Sequence, residues 1–178
     1  MPNKSCLEFF GFSIKLKLTK EVTIIMEFEQ LLERFRKDTG LENLVPDDTD
    51  TCTFLVDEMK VSLMYIAEGG RLLLFAEVGE LPDGGCPALA MAALKANYLF
   101  RGTSGATLAV RPDSSMLFLN QSMLLENLSY DGFVQTISDF VDTIEEWQKL
   151  IANYRPVADV SDVRAAVKDS IQNGYMKI

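Results

Sequence analysis

Val61-Ser62-Leu63-Met64-Tyr65-Ile66-Ala67-Glu68-Gly69-Gly70-Arg71-Leu72-Leu73-Leu74-Phe75-Ala76 sets two short apolar runs on either side of a Glu-Gly-Gly turn. Runs of this length, bounded by glycine and too short for helices, read as strands, and so tight a turn makes them antiparallel. A third run precedes them across Asp57-Glu58-Met59-Lys60. Three consecutive strands are therefore predicted near 51–57, 60–67 and 71–79.

Working outward, Phe28, Leu31, Leu32 and Phe35 recur at helical spacing, with acidic residues at the start and Gly40 as a stop, so a first helix is predicted over about 26–39. Pro46-Asp47-Asp48-Thr49-Asp50 reads as a polar turn into the first strand. On the other side, Asp83-Gly84-Gly85 is a loop and Pro87 suits the first position of a helix running to about Phe100, ended by Gly102. Strands over 107–111 and 116–121 flank the turn Pro112-Asp113-Ser114-Ser115. A long amphipathic helix follows, with the stripe Phe133, Ile137, Phe140, Val141, Ile144, Trp147 and Ile151, and closes at Pro156. The order α-β-β-β-α-β-β-α, with short strands and tight turns, predicts an α+β fold: a twisted antiparallel sheet packed by helices.

The strands depart from simple alternation. Val61, Leu63 and Tyr65 point one way, and Met64 and Ile66 the other; Leu72, Leu74 and Val78 oppose Leu73 and Phe75; Leu117 and Leu119 oppose Met116 and Phe118. An antiparallel sheet with one wet face alternates apolar with polar. Here both faces want a cover, either from the chain's own helices or from a partner. Eight methionines suit both arrangements. The middle helix carries Ala88, Ala90, Ala92, Ala93 and Ala96, a surface small enough for close approach of another backbone, although alanine is also the best helix former.

With 178 residues, 48% apolar and 24% charged, the chain is sized for one globular domain. A net charge of −9 and a pI near 4.5 argue against nucleic-acid binding, which needs a basic stripe. Three well-separated cysteines, Cys6, Cys52 and Cys86, give neither a disulfide framework nor a zinc ribbon, and fit buried thiols in a reducing compartment. No run reaches the ~20 apolar residues that span a bilayer, so no stable membrane insertion is expected. Residues 1–25 carry four lysines and two glutamates, a net of +2, which leaves −11 on the rest. They read as an extension lacking the uninterrupted apolar core of a signal peptide. Either they form an extra strand through the alternation at 14–18, or Met26 is the true start. In the second case Lys20-Glu21-Val22 would be a purine-rich ribosome-binding site read in frame.

Catalytic chemistry is scarce. The chain has no histidine, which removes Ser-His-Asp, Cys-His and HExxH sites. No phosphate-binding glycine motif occurs, and no cofactor is expected. Asp47-Asp48-Thr49-Asp50 opens like a calcium loop but lacks the required glycine and distal glutamate, so it reads as a solvated turn. No enzyme activity is expected.

Gly102-Thr103-Ser104-Gly105-Ala106-Thr107-Leu108-Ala109-Val110-Arg111-Pro112-Asp113, preceded by Ala93-Leu94-Lys95-Ala96-Asn97-Tyr98-Leu99, resembles the central segment of class I type III secretion chaperones, the Tir-chaperone family. Phe140-Val141-Asp142-Thr143-Ile144-Glu145-Glu146-Trp147 resembles that family's last helix, and Ala109 departs from a position where glycine is common. The resemblance covers 26–156 and leaves a tail, 157–178, with a short helix near 161–172. It implies a homodimeric, non-enzymatic protein of the bacterial cytoplasm that keeps the N-terminal region of a secreted effector non-globular. The implied effector contacts are Phe28, Leu31, Phe35, Leu108, Val110, Met116 and Phe118, each of which core packing would also explain. The implied dimer contacts are Ala88, Ala92, Ala93, Ala96, Leu99, Thr107 and Ala109. A YbjN-like regulatory or interaction module on the same fold is the alternative.

Overall fold

The computed structural model describes residues 26–41, 44–82 and 86–155. The N-terminal extension, the 83–85 loop, Pro156 and the tail lie outside them. Helix α1 covers 26–39 and buries Phe28, Leu31, Leu32 and Phe35 on one stripe. Gly40 ends it as expected: at φ +72 its N–H reaches the Arg36 carbonyl at 2.9 Å, a closure that glycine makes without strain.

Strands β1 (Thr51–Val56), β2 (Met59–Ile66) and β3 (Arg71–Glu80) form the predicted meander. Asp57 and Glu58 turn between β1 and β2 with φ of 45° and 73°, the left-handed pair that matches the twist of a two-residue hairpin. After α2 (Pro87–Asn97) come β4 (Thr107–Val110), β5 (Met116–Leu124) and α3 (Tyr130–Asn153). All pairings are antiparallel, in the order β1-β2-β3-β5-β4. The chain thus leaves β3, crosses through α2, lays down β4 at the far edge and returns β5 into the gap. A bulge at Val78 shifts the β3–β5 register between Glu77 and Gly79. The extra residue bends the strand beneath α3, where Ile151 lies 3.4 Å from the place of a Gly79 Cβ.

The predicted order of elements is the observed one, with a difference at the end of α2. This helix stops at Asn97 rather than Phe100, and Tyr98–Phe100 form a 3-10 turn in which Leu99 and Phe100 are left-handed (φ 54° and 56°). Bulky residues pay for that conformation in strain, so the surroundings must hold it.

Cys52, Phe54, Val61, Leu63, Tyr65, Leu72, Leu74, Leu117 and Leu119 share one face of the sheet and are buried. The helices pack there. Phe28 stacks on Tyr65 at 5.0 Å, and Phe35 meets Phe54 at 5.6 Å and Phe133 at 5.3 Å edge-on, tying α1 to both β1 and α3. Ser129 caps α3 by accepting from the Gly132 N–H at 3.1 Å, and the Trp147 indole N–H donates to the Gly102 carbonyl at 3.2 Å. The helical stripe predicted for α3 is buried from Phe133 to Trp147, and Ile151 is half-buried.

Candidate functional site

A five-stranded open sheet has two edges, and their backbone groups must be paired, wet or occupied. At the β4 edge, the Asn97 side chain does both jobs for Leu108: its Nδ2 donates to the Leu108 carbonyl at 3.0 Å and its Oδ1 accepts from the Leu108 N–H at 2.9 Å. At the β1 edge, the Asp47 N–H donates to the Thr51 carbonyl at 2.9 Å and Asp47 Oδ1 accepts from the Thr51 N–H at 3.1 Å. Outward-pointing groups alternate along a strand. Thr53 and Leu55 therefore also face outward, and among the described residues nothing meets their N–H and C=O groups. Leu55 is 64% exposed. The β1 edge is the more open of the two.

The second face of the sheet is also largely apolar. Met64, Leu73, Phe75, Met116 and Phe118 lie on it, half-buried by their strand neighbours, and the helices described above pack on the opposite face. Met64 pairs with Leu73, and Phe118 lies beside Ala109. The polar rim includes the Thr53–Ser62 hydroxyl pair at 3.0 Å and Arg71 Nε donating to Ser122 Oγ at 2.9 Å. This two-sided apolar pattern is the one the sequence predicted.

A third feature lies on α2. Leu89, Ala93 and Ala96 face inward and are buried. Met91, Leu94 and Tyr98 face outward, and with Leu99 and Phe100 they make an exposed apolar ridge; Leu94, Tyr98 and Leu99 are 64%, 67% and 63% exposed. Exposed apolar patches of this kind are commonly covered by another molecule.

The expected site residues therefore divide. Phe28, Leu31, Phe35 and Leu108 are buried in the core of the single chain. Met116 and Phe118 sit on the second face, and Val110 is exposed at the end of β4. Of the expected dimer residues, Ala93 and Ala96 are buried within the single chain, where small side chains let α2 approach β4. Ala88, Ala92 and Thr107 are half-buried, and Leu99 and Ala109 exposed. Sequence reasoning missed Met91, Leu94 and Tyr98, although their i, i+3, i+7 spacing on the face opposite Ala93 was the available signal. It also missed the edge roles of Asp47 and Asn97; Asp-x-Thr is an Asx-turn signature that pointed to the first.

Hydrogen bonds from the Thr49 hydroxyl, the Thr49 N–H and the Thr51 N–H hold the Asp47 carboxyl below its usual range. Burial, reinforced by the nearby Asp47 charge, pushes the Cys52 thiol up to about 11, which makes it a packing group rather than a nucleophile. Among the described residues no group of histidine, cysteine or carboxylate side chains could hold a metal ion. No described helix is long and apolar enough to cross a membrane. The described residues offer edge pairing and apolar contact.

Residues 30–148 match the family model described as the Tir chaperone protein (CesT) family. A Tir chaperone of Citrobacter freundii is 23% identical over 125 residues, which cover 70% of this chain and 80% of the relative. The fold is similar to that in the ExsC–ExsE complex, with a TM-score of 0.62 and 26% identity over 75% of this chain and 97% of the other. It is also similar to that in the HopA1–SchA chaperone–effector complex, with a TM-score of 0.59 and 23% identity over 70% and 94%.

Proposed function

Because the chain belongs to the Tir chaperone protein (CesT) family, we propose that it is a type III secretion chaperone acting, as a homodimer in the bacterial cytoplasm, on the N-terminal region of one secreted effector. The observation that carries this reading is the second apolar face of the sheet, which adjoins an edge left open at Thr53 and Leu55. An extended client can satisfy its backbone by adding a strand to that edge, while the stretch of client that continues across the second face lays apolar side chains on Met64, Leu73, Phe75 and Phe118. Ordering an unfolded chain costs about 1–2 kcal/mol per residue, so several such contacts must act together to hold it. Two protomers would double them.

The outward ridge of α2 suits the dimer. Met91, Leu94, Tyr98 and Leu99 are large and apolar, and burying each contributes roughly 1.5–3 kcal/mol. Ala109 and Val110 continue the exposed surface onto β4. With no phosphate-binding motif or catalytic constellation in view, the protein would bind and release without chemistry of its own. Nothing among the described residues favours the YbjN-like alternative.

The deciding experiment is recovery of the chain from its native host, followed by limited proteolysis and mass spectrometry of what it holds. The expected result is one protease-resistant N-terminal stretch of a secreted protein bound to two copies of this chain. A monomer without a client, or a folded partner bound through its globular domain, overturns the proposal.

A further inference from the structure

We propose that Asp47 is a positioning residue that sets the register of the client strand, stopping it at Thr53. This rests on the reading of the chain as a chaperone of an extended client. Along β1 the outward residues are Thr51, Thr53 and Leu55, two apart. Both outward groups of Thr51 are already taken by Asp47, at 2.9 and 3.1 Å. The carboxylate is itself fixed by the Thr49 N–H at 2.8 Å and the Thr49 hydroxyl at 2.6 Å, so an incoming strand would have to break a connected set of bonds to reach Thr51. At the other end, Asp57 at φ 45° leaves strand geometry. The open edge is therefore bounded on both sides, and among the described residues of β1 Thr53 and Leu55 are the ones that offer backbone groups.

These bounds fix the chemistry of the client stretch. Client residues paired with Thr53 and Leu55 fall on the second face of the sheet, beside Ser62 and Lys60. The residue between them falls on the side of Phe54, at the rim of the helix-bearing core, and is expected to be apolar. Past Thr53 the client meets Asp47, Asp48 and Asp50, all exposed, which favour a basic residue there.

Amide exchange in the whole chain, followed by NMR with a capped nine-residue alternating Val-Thr peptide as the probe, tests this. Thr51 N–H is expected to be protected with or without peptide, and Thr53 and Leu55 N–H to gain about tenfold or more only with it. Asp47→Ala is expected to speed Thr51 exchange about tenfold in the free protein and to bring Thr51 into the peptide-protected set. Asp47→Asn keeps the accepting oxygen and retains the wild-type pattern, while unchanged exchange at Leu74 and Leu119 marks an intact fold. If peptide protects Thr53 and Leu55 but Asp47→Ala leaves Thr51 outside that set, Asp47 is not the stop and the proposal falls alone. Cross-strand contacts from the peptide to Thr51 in the wild type overturn it without any variant. If the peptide protects Val110, or no amide of the β1 edge, the reading of that edge as the client's fails, and this proposal with it.

Discussion

Asn97 and Leu108 are joined by a reciprocal pair of hydrogen bonds, side-chain amide to backbone, at 2.9 and 3.0 Å. The last residue of α2 thus takes the place of a neighbouring strand at one position of β4. It fastens the crossover helix to the sheet and closes that edge at its centre. Replacing Asn97 by Ala is expected to cost about 1–3 kcal/mol, because both Leu108 groups lose their partner at once. The shift in urea midpoint measures it, and a loss under about 0.5 kcal/mol would show that water serves as well.

Phe28 and Phe118, paired as candidate client contacts in the sequence, are expected to separate. Phe28 is 4% exposed and stacks on Tyr65, so Phe28→Ala should cost about 3–5 kcal/mol. Phe118 lies half-buried on the second face, and Phe118→Ala should cost no more than about 1.5 kcal/mol while weakening client retention. Thermal melts of both variants, with client recovery for the second, check the pair.

Charged substitutions on the α2 ridge should break the proposed dimer and leave the fold. Leu94→Glu combined with Leu99→Glu places two charges on side chains that are already exposed in the single chain. Sedimentation is expected to report twice the 19.9 kDa chain mass for the wild type and the single mass for the variant, with unchanged circular dichroism. Loss of helical signal instead would place these residues in the fold.

The Cys52 thiol is 0% exposed and titrates near 11, so its reactive thiolate is scarce at pH 8. Iodoacetamide should leave Cys52 unmodified in the native protein and modify it fully in urea, as read by peptide mass mapping. Native modification at the urea rate would mean that β1 opens readily.

Acid should weaken the β1 entry turn through Asp47. Its folded carboxyl is held below the ordinary value of 3.8, so its contribution is fully present above that pH and is lost as the pH falls toward the lower folded value. Asp47→Asn should therefore be less stable than the wild type near neutrality, and the two curves should converge below pH 4. A constant gap across that range would point to a cause other than ionisation.

How far the sequence reached follows from which interactions are local. The first helix, the three-strand meander, Pro87 as the start of α2 and the stripe of α3 were legible because spacing, turn residues and caps act over a few positions. The two-sided apolar sheet was legible for the same reason: period two along each strand assigns Met64, Leu73 and Phe118 to the face opposite Leu63, Leu74 and Leu119. The absence of histidine and of phosphate-binding motifs required no fold at all. Three things came only from tertiary structure. Strand order placed β4 outside β5, and no local signal fixes where a crossover lands. The face of α2 turned inward proved to be that of Leu89, Ala93 and Ala96, because a helix with apolar residues on most sides has little periodic preference until a sheet presses on one of them. The sealing of Thr51 by Asp47 and of Leu108 by Asn97 depends on which strands lie at the edge. An edge exists only once the sheet has been assembled.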